Sequence, residues 1–231
     1  MNRQLIVSLV AAVASFVVST VAAQAQVVAP NLPAGTPYRV VFASTGTYQS
    51  YNTTTPSQTR SLSYWQNIVN NEAAASSSPT ITGATFRLVG SVFDAALGVT
   101  VSAPTLTGMS NTVSDGIPVY NTLGQLVATD SVSFWSATHL AAMNTDRNGG
   151  TLAAGAVWTG WTPQANNRMF GSSLATFIGN SGQTTWNPVA TLGSTSFLRI
   201  YAISEPISTI PTPGAAALLG LGGLAMARRR R

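Results

Sequence analysis

Few residues in this chain can carry chemistry. There is one histidine, His139, set in Ala137-Thr138-His139-Leu140 among apolar neighbours. A Ser–His–Asp set assembles from residues far apart in sequence, so His139 could serve one, but no nucleophile elbow accompanies it. The alternative is a structural or surface histidine. The carboxylates are Glu72, Asp94, Asp115, Asp130, Asp146 and Glu205. Glycoside hydrolysis would need two of them, from Asp94, Asp115, Asp130 and Asp146, to face one bond. Asn144-x-Asp146-x-Asn148-Gly149 places oxygen ligands at alternate positions before a turn glycine, as a calcium loop does. The carboxylate that completes an EF-hand-type loop is missing, and the same residues make an ordinary Asn/Asp/Gly turn. Asn144, Asp146 and Asn148 are therefore the only metal candidates. With no cysteine in the chain, thiol catalysis and thiolate metal sites are excluded. We expect no cofactor and no enzyme activity.

Aromatic residues offer a binding chemistry instead. Trp158, Trp161 and Trp186, with Tyr120 and Trp135, sit in or near polar segments. Exposed indole faces suit sugar rings, and Asn and Thr suit their hydroxyls. The other reading is that Val157-Trp158-Thr159-Gly160-Trp161 is core, because tryptophan is highly buried on average.

The elements that must position these groups follow from pattern. Tyr38–Ser44 (YRVVFAS) is β-branched and aromatic, a strand, and Ser196–Ser204 (SFLRIYAIS) is the best strand in the chain. Residues 45–59 read as loop. Ser57 is placed to cap a helix over 60–75, where Leu62, Trp65, Ile68 and Val69 recur at helical spacing. Ala84–Gly90 is a further strand. Residues 117–121 and 125–129 flank Thr122-Leu123-Gly124 as a hairpin, and 132–135 reads as a short strand. Residues 144–150 are a polar turn, 156–161 an apolar aromatic segment, and 171–188 irregular. No repeat period appears. The fold class is α+β, with strands at both ends of the domain that can pair.

Both chain ends read as addresses. Arg3 precedes an apolar run from Leu5 to Ala23, and Ala23-Gln24-Ala25 supplies the small residues a signal peptidase reads. Cleavage after Ala25 leaves Gln26 first; the alternative is an uncleaved anchor, since the run approaches the ~20 apolar residues a bilayer requires. At the other end Pro211-Thr212-Pro213-Gly214 stops any strand. An uncharged stretch from Ala215 to Ala227 then leads to Arg228, Arg229, Arg230 and Arg231. As a helix, that stretch covers about 20 Å, and the arginines would stay cytoplasmic. The expected organisation is a signal peptide (1–25), a linker (26–37), one exported domain (38–205), a Pro-rich linker with the sorting motif (206–214) and a hydrophobic sorting helix with an Arg tail (215–231).

The formal net charge of +5 invites a nucleic-acid reading. Without the two ends, Arg39, Arg60, Arg87, Arg147, Arg168 and Arg199 balance the six carboxylates, and no basic run remains to neutralise phosphates. Nucleic acid is not an expected partner. The middle is long enough to bury a core of its own. It does so without disulfides, although they persist in the compartment to which the chain is addressed.

Two resemblances add to this. The tripartite tail resembles the PEP-CTERM sorting segment of Gram-negative bacteria, with Thr212 where glutamate is usual. That implies an exosortase-type membrane protease as a partner, besides signal peptidase, and an association with exopolysaccharide. The stretches YRVVFASTGTY (from Tyr38), GATFRLVGS (Gly83), GIPVYNTLGQLVATDSVSFW (Gly116), AVWTGW (Ala156) and SFLRIYAIS (Ser196) resemble, in order, a bacterial C-type-lectin-like domain family of unknown function related to endostatin. This implies a C-type-lectin-like fold with long irregular loops. Ala202 lies where the family often has one of a cysteine pair. Trp186-Asn187-Pro188 begins like the lectins' Trp-Asn-Asp motif, with proline in place of the ligating aspartate, so Trp186 and Asn187 join Trp158 and Trp161 as ligand candidates without calcium.

The sequence thus points to an exported protein of the cell surface, outer envelope or extracellular matrix, transiently anchored in the inner membrane. It would be non-enzymatic, a binding or structural component associated with exopolysaccharide. The alternatives are a secreted hydrolase acting on an extracellular polymer, and a passive surface-coat protein.

Overall fold

Two runs of β-branched and aromatic residues make the centre of the molecule. The structure, a computed structural model, describes residues 26–161, 169–184 and 190–209. Strand β1, Pro37–Ala43, pairs antiparallel with β11, Phe197–Ser204, with Val41 opposite Ile203 and Ala43 opposite Tyr201. The terminal strands pair, as their composition predicts. The far edge of β11 takes β3, Phe86–Val89, antiparallel, and then β8, Ala156–Trp158, parallel. The far edge of β1 takes β6, Val119–Asn121, parallel, and β6 turns back into β7, Leu126–Ala128. Beyond β8 the sheet continues through β9, Thr176–Asn180, and β10, Ala190–Leu192. Short strands β2, Tyr48–Gln49, and β12, Ile207–Ser208, add to β11 and β1. A separate hairpin joins β4, Val92–Asp94, to β5, Val99–Val101.

The central sheet is buried on both faces, which is why its strands read as continuous apolar runs rather than alternating ones. Side chains alternate across it. Tyr38, Val40 and Phe42 of β1, with Ile200 and Ala202 of β11, enter one core together with Trp65, Val69 and Ala73. Those three lie on α2, Leu62–Ala74. Val41, Ala43, Tyr201 and Ile203 enter the other core, with Met109, Trp135, Met143 and Trp161. The remaining helices are short: α1, Pro56–Thr59, α3, Pro79–Thr82, α4, Ala103–Thr107, and α5, Ser131–Phe134. The fold is mixed α/β, mostly sheet, and among the described residues no helix is long and apolar enough to cross a membrane.

Several expectations give way to local chemistry. The main helix begins at Leu62, and its cap is not Ser57, which lies inside α1, but Asp94, whose carboxylate accepts from Leu62 N at 3.0 Å. Residues 132–135 read as strand, yet they are the helix α5 and its C-cap. Asp130 accepts from Ser133 N at 2.7 Å while the Ser133 hydroxyl accepts from Asp130 N at 3.0 Å, a capping box that outweighs β-propensity. The segment 171–188, read as irregular, holds β9. The loop over 45–59 contains β2 and α1.

Residues 26–37 are not a free linker. Val27 and Leu32 pack against the α2-side core, Val28 N donates to Thr122 O at 2.9 Å, and Gly35 N donates to Thr209 O at 3.0 Å. Thr209 N returns to Thr36 O at 3.2 Å, so this strap and the last described residue clasp one another. The expected signal peptide with Ala23 and Ala25 lies outside the described residues. So do Trp186, Asn187 and the sorting segment Pro211 to Arg231.

Candidate functional site

His139 is buried, with its ring stacked on Phe134 at 5.3 Å and Nε2 2.7 Å from the Phe134 carbonyl oxygen. A carbonyl only accepts, so Nε2 carries the proton. Burial pulls the imidazole down to about 4, and the ring is neutral at physiological pH. That is a packing and helix-closing role, with Nε2 already committed to the last turn of α5.

Each carboxylate holds backbone or an arginine. Asp94 caps α2 and also accepts from Ala96 N and Leu97 N. Asp115 accepts from Arg39 at 2.9 Å, from Ile117 N and from Ser131 N. Asp130 caps α5 and takes the Ser114 hydroxyl. Glu205 accepts from Arg87. Glu72 is buried as well, 7 % exposed, and gathers the most donors. Its Oε1 accepts from the Tyr48 hydroxyl at 2.7 Å and Gly46 N at 3.0 Å, and its Oε2 accepts from Thr45 N, the Thr45 hydroxyl and Arg147. Burial alone would raise this carboxyl; the hydrogen bonds from Tyr48, Gly46 and Thr45 and the Arg147 charge outweigh it and hold Glu72 below its ordinary value. Asp94, Asp115 and Asp130 are lowered too: Asp94 chiefly by the bond from Leu62 N, Asp130 by the bond from Ser133 N, and Asp115 because Arg39 and two backbone donors overcome its burial. A glycosidase acid needs the opposite shift. These carboxylates are tuned to stay ionised as anchors.

The calcium-like loop is an Asx-type turn. Asp146 Oδ1 accepts from Asn148 N and Gly150 N, both at 2.8 Å. Asn148 Oδ1 accepts from Ser77 N at 2.9 Å and from the Ser76 and Ser77 hydroxyls, and Asn144 donates to Leu152 O. The oxygens at 146 and 148 thus fasten this loop to the end of α2, and among the described residues no three His, Cys, Asp or Glu side chains cluster as metal ligands.

Trp158 and Trp161 do not present faces to solvent. Trp158 is fully buried, donating from Nε1 to Tyr48 O at 2.7 Å, and Trp161 packs on Trp135 at 5.0 Å between ring centres. Trp135 donates to Met109 O at 2.9 Å. Here the core reading of VWTGW holds. Tyr120 stands edge-on to Tyr38 at 6.2 Å.

What remains open is a groove of about 790 Å³ between the strap, α3 and β12. Pro30, Leu32, Pro79, Ala84 and Ile207 make its apolar walls; Asn31, Thr80, Ser208 and Thr209 supply amide and hydroxyl groups, and no charged residue lines it. Tyr38, at the start of β1, also lines it although only 3 % exposed, and its hydroxyl has no hydrogen-bond partner among the described residues. Burial raises that phenol, which keeps it protonated and able to donate. The size and the mostly apolar lining with a few polar groups suit a small ligand. A second groove, about 510 Å³, carries Arg39, Arg87 and Glu205, but both arginines are already on carboxylates. Sequence reasoning missed Tyr38, Glu72 and Arg147: the partners of Glu72 and Arg147 and the groove walls that α3 and β12 supply around Tyr38 lie tens of residues away, and no local motif marks them. Comparison with protein-family models, with curated proteins and with solved structures finds no match.

Proposed function

We propose that this chain is an exported, non-enzymatic binding protein of a Gram-negative cell surface or extracellular matrix, and that its groove takes a neutral saccharide of the surrounding exopolysaccharide. The observation that carries the reading is the uncharged groove at Tyr38, whose hydroxyl is without a partner among the described residues, beside apolar walls. Sugar rings are amphipathic: their C–H faces suit Pro30, Leu32 and Ile207, and their hydroxyls suit Asn31, Thr80, Thr209 and the Tyr38 phenol. A uronate or a phosphorylated polymer would find no countercharge there. The sorting ends supply the location, with signal peptidase and an exosortase-type protease as processing partners. The pairing of the terminal strands and the long connections between short strands accord with a C-type-lectin-like domain.

The test is a glycan array followed by titration calorimetry on the purified full chain, with neutral and acidic oligosaccharides side by side. Neutral sugars bind, and Ile207→Arg abolishes binding while leaving the thermal midpoint close to wild type. Binding confined to acidic sugars, no saccharide binding at all, or an Ile207→Arg protein that binds normally would sink the reading.

A further inference from the structure

The chain contains no lysine: its eleven Lys and Arg positions are all arginine. Once a leader is removed, the only primary amine left is therefore the new N-terminus, and cleavage after Ala25 puts a glutamine there. The structure shows how that end is held. A β-carbon on Gly149, which has φ +86°, would lie 2.8 Å from the Gln26 carbonyl oxygen, so the carbonyl that cleavage after Ala25 would make the first rests directly on this glycine. Val27 packs against the core, and Val28 N donates to Thr122 O at 2.9 Å. The seat thus grips the chain from the Gln26 carbonyl onward. Gln26 itself is exposed, and its carboxamide makes no hydrogen bond among the described residues.

We infer that Gln26 is a modification site: freed by removal of residues 1–25, it cyclises to pyroglutamate and leaves a mature protein with no primary amine. The inference rests on the reading of residues 1–25 as a cleaved leader. The α-nitrogen attacks Cδ of the Gln26 carboxamide, the N–Cδ bond forms as the Cδ–Nε2 bond breaks, and Nε2 leaves as ammonia carrying one of the amine's protons. Nothing is oxidised, and no co-reactant enters. The five ring atoms belong to Gln26 alone, so the reacting groups are held together intramolecularly. The carbonyl on Gly149 and the Val28 bond take no part and stay in place. An α-amine titrates near ~8 and is largely cationic at neutral pH; the lactam is uncharged. Reducing sugar ends condense with amines, and a chain of this kind offers them none.

The full chain, secreted with its leader from a Gram-negative host, is labelled at neutral pH with an amine-reactive ester immediately on recovery from envelope and medium. Labelling before digestion prevents cyclisation during work-up from imitating the result. Tryptic mass spectra then read the peptide from Gln26 to Arg39. The expected wild-type result is no label and a peptide lighter by one ammonia. The Gln26→Ala protein, cleaved at the same bond, takes one label per chain. A labelled wild-type peptide beginning with intact Gln26 overturns the inference and leaves the leader reading standing. A first residue other than Gln26, or label at Met1, overturns both.

Discussion

The two ends of β1 solve opposite problems. At its C-terminal end Ser44 leads into Thr45 and Gly46, and five donors converge on the buried Glu72 carboxylate. At its N-terminal end Tyr38 is equally enclosed, yet its hydroxyl meets only an uncharged groove. A buried polar group that is fully satisfied has no capacity left for a ligand and serves architecture. A polar group left open at the bottom of a concavity is where binding can add a hydrogen bond. The chemically richer end is therefore the structural one, and the quieter end is the candidate for recognition.

The comparison breaks most sharply at Glu72. Glu72→Ala leaves the Arg147 guanidinium and the Thr45, Gly46 and Tyr48 donors facing one another in a buried site, and unfolding free energy should fall by about 3–5 kcal/mol. Urea denaturation measures this, and saccharide affinity per folded molecule should not change. Trp158→Phe removes the indole bond to Tyr48 O at the same end and should cost about 1–2 kcal/mol by the same measurement.

Acid separates the ends as well. Glu72, Asp94, Asp115 and Asp130 have folded values below their unfolded ones. Their stabilisation is complete above the ordinary carboxyl range and is lost as pH falls through the lowered values. His139 acts earlier. Its folded value is about 4 against an ordinary 6.5, so the unfolded chain binds this proton first and stability declines as pH drops from 6.5 towards 4. The slope approaches roughly 1.4 kcal/mol per pH unit for one proton. His139→Phe should flatten that interval in a pH series of urea midpoints and leave the steeper fall below it intact. Sugar binding at the uncharged groove should stay level down to the pH at which the fold fails.

The smallest effect is expected at Tyr38. Its hydroxyl has no partner to lose, so Tyr38→Phe should change stability by less than ~0.5 kcal/mol. The same substitution should weaken a neutral saccharide by about 1 kcal/mol, roughly fivefold in calorimetry, if the phenol donates to it.

How much of this was legible depended on whether the determining partners were local. β1 and β11 were readable because a strand buried on both faces must be apolar throughout, and the hairpin at Thr122-Leu123-Gly124 because Gly124, with φ +73°, permits the turn. The helix was readable from Leu62, Trp65 and Val69, but its start was not, because the cap comes from Asp94, more than thirty residues away. Val132 and Phe134 favour a strand by type; Asp130 and Ser133 decide for a helix because they satisfy backbone donors that a strand there would leave open. Asn144, Asp146 and Asn148 had the spacing of a cation loop, and the structure spends the oxygens of the last two on Gly150, Asn148 and Ser77 amides. The groove was invisible because the strap, α3 and β12 meet only in three dimensions. Its last residue bonds to one 173 positions earlier, Thr209 to Thr36 (209 − 36).

The clasp between the strap and Thr209 also has a mechanical meaning. β12 is only two residues long and pairs with the outermost residues of β1, Pro37 and Tyr38. A pull on the chain beyond Thr209 reaches that pairing first and opens it like a zipper, one bond at a time, before tension arrives at the longer β1–β11 pairing. Ile207 and Ser208 are walls of the groove. Traction on the chain beyond Thr209 would therefore dismantle the pocket while the core stayed folded, so tension and its absence would present different surfaces at this edge of the sheet.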